Sequence, residues 1–125
     1  MSLSQRYFAA LMRCSDGAQE RLYGERKARL FAGIAPGSTV VEIGSGTGTN
    51  LTHLPPGVRF IGVDPNPHMH ASLHRKADAL GIPDVQVRKG VAEALPLPDA
   101  GADAVLSTLV LCSVDDVAEA LAEVR

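Results

Sequence analysis

The chain has 125 residues, 46% of them hydrophobic and 21% charged, with a formal charge of −2. That length reads as one domain able to bury its own core, and the composition excludes a disordered chain. The charge leaves no electrostatic footprint for nucleic acid or an anionic membrane.

The longest apolar run, residues 104–112, is too short to span a bilayer. The first residues lack the long apolar core and cleavage site of a secretory leader. Cys14 and Cys112 form neither a disulfide framework nor a zinc pattern, and they read as reduced thiols of a cytoplasmic protein.

In chain order, residues 4–14 and 18–33 read as two helices. In the second, Leu22, Ala28, Leu30, Phe31 and Ile34 recur at helical spacing and Gly33 supplies a stop. After the turn Ala35-Pro36-Gly37-Ser38, the β-branched run Thr39-Val40-Val41-Glu42-Ile43 predicts a buried strand. A glycine turn follows, and a short helix is expected from Thr49 until Pro55-Pro56-Gly57 ends it. Residues 58–64 predict a second strand. Pro67 suits a first helical position, and Gly81 caps the helix that follows. Residues 84–90 alternate like a third strand, 93–99 read as a loop and 102–108 as a fourth strand. A last helix covers 114–124 with Ser113 as its N-cap. Strands alternating with helices predict right-handed βαβ units and an α/β fold on an open parallel sheet.

The first strand-to-helix turn carries the ligand contact in such sheets. Here it reads Glu42-Ile43-Gly44-Ser45-Gly46-Thr47-Gly48-Thr49-Asn50. A dinucleotide fingerprint would place its third glycine where Thr49 stands, and a phosphate-binding P-loop would need a Gly-Lys-Ser/Thr ending. Glu42, two residues before the first glycine, would repel a pyrophosphate and attract a cationic ligand. Asp64 ends the second strand, where an acid accepts hydrogen bonds from ribose hydroxyls; its other reading is an Asx-turn before Pro65. An NAD enzyme would share that acid, so an NAD-linked oxidoreductase is the less favoured alternative.

The acidic strand end followed by G-x-G-x-G resembles motif I of the class I S-adenosyl-L-methionine (SAM) methyltransferases. The chain is similar to the methyltransferase type 11, ubiquinone-biosynthesis-like group. Residues 42–50, 55–68 and 107–114 resemble most its alkyl-thiol methyltransferase branch. The resemblance implies a Rossmann-like SAM-dependent methyltransferase fold with strand order 3-2-1-4. In it, residues 1–36 would form an N-terminal helical cap and 37–125 an incomplete SAM-binding core. It implies SAM as cofactor, S-adenosyl-L-homocysteine (SAH) as product, and a small-molecule acceptor such as an alkyl thiol. A SAM-binding fragment without turnover is the alternative.

Carried over by position, Glu42, Gly44, Ser45, Gly46 and Thr47 would line the methionine part of SAM. Asp64 would take the ribose diol, with Pro65 and Asn66 near the adenine. Val91, Ala92 and Glu93 would close over the adenine edge, although the group commonly has Asp where this chain has Val91. Thr108 and Leu109 would border the transferred methyl. Animal members of the thiol branch carry an N-terminal membrane anchor that nothing here matches. The resemblance also implies that the chain stops after four of seven strands, which exposes the fourth as an apolar edge open to self-association.

Other chemistry-bearing residues have plainer readings. His68, His70 and His74 flank the apolar stripe Met69, Leu73, Ala77 and Leu80, so they read as a solvated helix face with no metal; His68 has the best claim to border the site. Cys112 reads as a packing residue. Tyr7, Phe8, Leu11 and Met12 form an apolar helical face able to lie over the pocket. Asp115, Asp116 and Glu119 read as the acidic first turn of a helix. No general base is assigned.

Overall fold

The structure is a computed structural model that describes residues 3–125; Met1 and Ser2, the start of the expected cap, lie outside the described residues. Its strands are β1 (Thr39–Ile43), β2 (Arg59–Val63), β3 (Val85–Arg88) and β4 (Ala104–Ser107). Its α-helices are α1 (Leu3–Phe31), α2 (Pro67–Leu80) and α3 (Val117–Glu123). The strands are all parallel and lie in the order β3-β2-β1-β4, as expected from the sequence.

β1 is an inner strand whose Glu42 sits in register with Gly62 on one side and Leu106 on the other. Side chains alternate across the sheet. Val40 and Phe60 therefore meet Phe31, Leu51, Leu73 and Ala77 on one face. Val41, Ile61 and Val63 pack against Leu95, Leu97, Ala102 and Val105 on the other. Both faces are thus covered, as a parallel sheet requires. The same parity sends Glu42 to the Val40 face, under α1 and α2.

α2 follows the sequence reading. Asn66 caps it by accepting from the His68 N–H at 3.1 Å, Pro67 opens it, and Gly81 closes it at φ 68°. Elsewhere the structure corrects the reading. The two N-terminal helices are one unbroken 29-residue helix that runs through Gly17. A glycine inside a helix costs about 1 kcal/mol, which anchoring contacts beside it offset. The Ser15 hydroxyl donates to the Met12 carbonyl at 2.8 Å. Asp16 accepts from the Thr47 hydroxyl at 2.7 Å and from Lys76 at 2.9 Å.

The stripe expected on this helix is also displaced. Leu22 and Leu30 are exposed, and the buried positions are Ala9, Gly24, Lys27 and Phe31. α1 lays a largely polar face over the glycine turn, with Ala9 buried near its start and Phe31 packed into the main core cluster at its end. The helix expected after the glycine turn is a single 3-10 turn, Leu51–His53. The run after Ser107 leaves the sheet at once, and Leu111–Ser113 forms another single turn. That puts Cys112 on the surface rather than in packing. The N-cap of α3 is Asp116, which accepts from the Glu119 N–H at 3.0 Å, not Ser113. Among the described residues, no helix is long and apolar enough to cross a membrane.

Candidate functional site

At the carboxyl ends of the strands lies a cavity of about 430 Å³. Glu42, Gly44, Ser45, Gly46 and Thr47 line it, as do Asp64, Pro65, Asn66, Val91, Ala92, Glu93, Thr108 and Leu109. Every residue carried over by position from the family resemblance therefore reaches one concavity. α1 adds Phe8, Met12 and Gln19. Tyr7 and Leu11 of the expected apolar face point outward and are exposed.

The glycine turn is tight because three of its residues occupy the left-handed region that favours glycine. Gly44, Gly46 and Gly48 have φ of 63°, 52° and 82°. A Cβ on Gly44 would stand 2.1 Å from Val110 Cγ2. On Gly46 it would meet only the Gly44 carbonyl oxygen, at 3.9 Å. The backbone is therefore bare on the side where a ligand must come close.

Asp64 braces the turn. Its Oδ2 accepts from the Gly46 N–H at 3.0 Å and its Oδ1 from the Asn66 N–H at 2.8 Å. The Asx-turn is thus real, and it fixes the carboxylate while each oxygen keeps a lone pair for a ligand hydroxyl. Gly62 leaves room for Ser45, since a Cβ there would lie 2.6 Å from Ser45 Oγ.

Glu42 lies on the cavity floor with 2% of its surface exposed. The Asn50 amide donates to its Oε1 and also to Thr108 Oγ1, the latter at 2.7 Å. Glu42 Oε2 and Ser45 Oγ are buried without any hydrogen-bond partner. Burial pushes the Glu42 carboxyl up to about 8, against smaller opposing effects from the Asn50 hydrogen bond and the Lys27 charge; the Asp64 charge adds to the rise. Buried polar atoms seldom lack partners, so an unpaired carboxyl oxygen at the floor of a cavity is open to a partner that enters the cavity. The chemistry that satisfies it is a cation bearing N–H groups.

The far wall is looser. Glu93 Oε1 accepts from the Asp115 and Asp116 N–H groups at 2.8 and 3.1 Å, which ties the loop after β3 to the segment before α3. The Asp116 N–H and other backbone N–H groups hold its carboxyl below the usual range. Leu109 lies at φ 57° and is 59% exposed.

The histidines do not assemble a site. His70 Nε2 approaches the Asp64 carbonyl at 3.2 Å, His68 is not among the cavity-lining residues, and the described residues contain no cluster of three or more metal-ligating side chains. The residues missed in the sequence are Asn50, Thr49, Lys27 and Asp16. Asn50 closes the quoted glycine turn, but its partner Thr108 stands 58 positions away, a pairing that no local pattern announces.

Strand order, glycine turn and acid-ended second strand together define a SAM-methyltransferase-type nucleotide fold. The methyltransferase domain family matches residues 41–125, and the chain belongs to it. Thiol S-methyltransferase TMT1B of Homo sapiens is 35% identical over 132 residues, which cover 98% of this chain and 54% of that protein. A SAM-dependent methyltransferase structure from Thermotoga maritima is 29% identical at a TM-score of 0.68, over 95% of this chain and 52% of that one. The YcgJ protein of Bacillus subtilis is 28% identical at a TM-score of 0.71, over 80% and 44% respectively. The chain spans about half the length of the curated relatives it matches. SAM is the cofactor that goes with this family and fold.

Proposed function

We propose that the cavity binds SAM and that the protein transfers its methyl group to a small acceptor, an alkyl thiol first. Glu42 Oε2, buried and unpaired beside three left-handed glycines, carries this reading. It is the acceptor for the ammonium of the methionine end. Gly44, Ser45, Gly46 and Thr47 hold the rest of that end, and Asp64 holds the ribose diol. Pro65, Asn66, Val91, Ala92 and Glu93 flank the adenine, while Thr108 and Leu109 border the methyl. Residues 1–36 act as the cap and 37–125 as the core.

When bound, SAM supplies a sulfonium methyl that an acceptor lone pair takes, leaving neutral SAH. The residues contribute position and exclusion of water, and effective molarity supplies roughly 7–11 kcal/mol in well-oriented cases. A thiol with pKa about 8.5 is already partly thiolate near neutral pH, so no base is needed. The thiol class is supported by the 35% identity to a thiol S-methyltransferase. The test is label transfer from methyl-labelled SAM to a panel of alkyl thiols, phenols and quinols. Methylated thiol supports the reading. SAH binding without transfer to any acceptor leaves the alternative, a SAM-binding fragment.

We also infer a cytoplasmic protein with no nucleic-acid partner, able to self-associate along the outer edge of β4. The supporting observation is that β4 ends the sheet order. Sedimentation at rising concentration tests it, and a constant monomer mass overturns it.

A further inference from the structure

The cavity wall is one-sided in charge. Its titratable lining residues are Glu42, Asp64, Glu93 and Asp115, with no Lys, Arg or His among the described residues that line it. An amino-acid end carries a carboxylate as well as an ammonium, and this lining offers that carboxylate no cationic partner. One basic side chain among the described residues is buried: Lys27 on α1, 5% exposed. Among the described residues its Nζ makes no ion pair within 4.0 Å and donates only to Thr49 Oγ1, at 3.4 Å. Thr49 itself lines the cavity. A hydroxyl that accepts from an ammonium keeps its own hydrogen for a second partner, which a ligand carboxylate in the cavity would supply. Lys27 also stands near enough to Glu42 for its charge to be felt there.

We infer that Thr49, polarised from behind by Lys27, is the carboxylate-binding group of the site, so that Lys27–Thr49 and Glu42 together read an α-amino-acid zwitterion. Lys27 is a positioning residue: it acts through the Thr49 hydroxyl. This rests on the SAM reading above and adds what selects the amino-acid end. A charge-assisted hydrogen bond of this kind is worth about tenfold or more in affinity.

The experiment compares SAH with its decarboxylated analogue, S-adenosyl-3-thiopropylamine, by calorimetry at pH 7. It uses the wild-type chain, Lys27→Met, Lys27→Arg, Thr49→Val and Glu42→Gln. The wild type is expected to prefer SAH by about tenfold or more. Lys27→Met and Thr49→Val are expected to bring that preference close to unity without weakening the analogue, and Lys27→Arg to retain most of it. Glu42→Gln is expected to weaken both ligands alike, because both carry the amine. A wild type that binds both ligands equally overturns the inference without any variant having to fold. So does an SAH preference that survives Lys27→Met and Thr49→Val while Glu42→Gln still weakens both ligands; the SAM reading then stands. Absence of SAH binding to the wild type, or a Glu42→Gln that binds both ligands unchanged, overturns the SAM reading and this inference with it.

Discussion

The two ends of the cavity are built on different principles. At the β1–β2 end, buried side chains hold the backbone: Asp64 grips the Gly46 and Asn66 N–H groups, and Asn50 joins Glu42 to Thr108. At the β4 end, the chain leaves the sheet after four residues, and Leu109 stands exposed in a left-handed conformation. In α3, Ala120 is the one buried residue, while Val117 and Leu121 face outward. The lesson is that the fixed part of the ligand meets groups whose positions are over-determined. The end proposed to meet the acceptor is tied down through Thr108 and Glu93 but leaves Leu109 exposed between them.

Substitutions at the two ends should therefore differ sharply. The largest effect is expected for Gly44→Val, which combines a forbidden φ with the Val110 collision. SAH affinity should fall more than about 100-fold, a loss that needs only about 3 kcal/mol. A variant that keeps wild-type affinity would show that the turn adapts and that the contrast between the ends is false.

Next comes pH. Burial raises the Glu42 carboxyl in the folded chain from 4.5 to about 8. Between those values the folded chain keeps a proton that the unfolded chain has released, so stability from this group falls as pH rises through the window. It is undiminished below pH 4.5 and levels off above about 8. The full decline is on the order of 5 kcal/mol. Denaturant melts of the wild type against Glu42→Gln from pH 5 to 9 should show a slope that the variant lacks. Parallel curves would mean that Glu42 is not buried as described.

A smaller effect belongs to the strap between α1 and the turn. Asp16→Ala removes the bonds to Thr47 and Lys76 and should cost about 1–2 kcal/mol, with faster hydrogen exchange in the middle of α1 near Gly17. Exchange unchanged there would show that other contacts hold the helix. The smallest is Leu109→Gly, which relieves the left-handed leucine. It should leave stability within about 1 kcal/mol of wild type and SAH affinity within about twofold. A loss as large as that at Gly44 would show that the β4 end is as fixed as the other.

How much of this could be read from the sequence follows the same division. The places of Glu42, the glycine turn and Asp64 were legible because they depend on local spacing: an acid at a strand end, glycines at alternate positions, and a second acid closing the next strand. Strand order came with the family resemblance. α1 was not legible. Gly17 marks a break that tertiary contacts cancel, and Leu22 and Leu30 form a stripe that faces outward because the surface beneath the helix is polar. Nothing local to Lys27 marks it; only folding brings it to Thr49, 22 positions away. The surface position of Cys112 follows from the chain leaving the sheet after Ser107, while the apolar run itself gives no sign of that turn.

The most direct measurement is calorimetric titration of the chain with SAH, with NADH as control. The account predicts saturable SAH binding that Glu42→Gln weakens by about tenfold or more, and no response to NADH. No heat with SAH from a folded chain, or binding of NADH in its place, would contradict the assignment of this cavity.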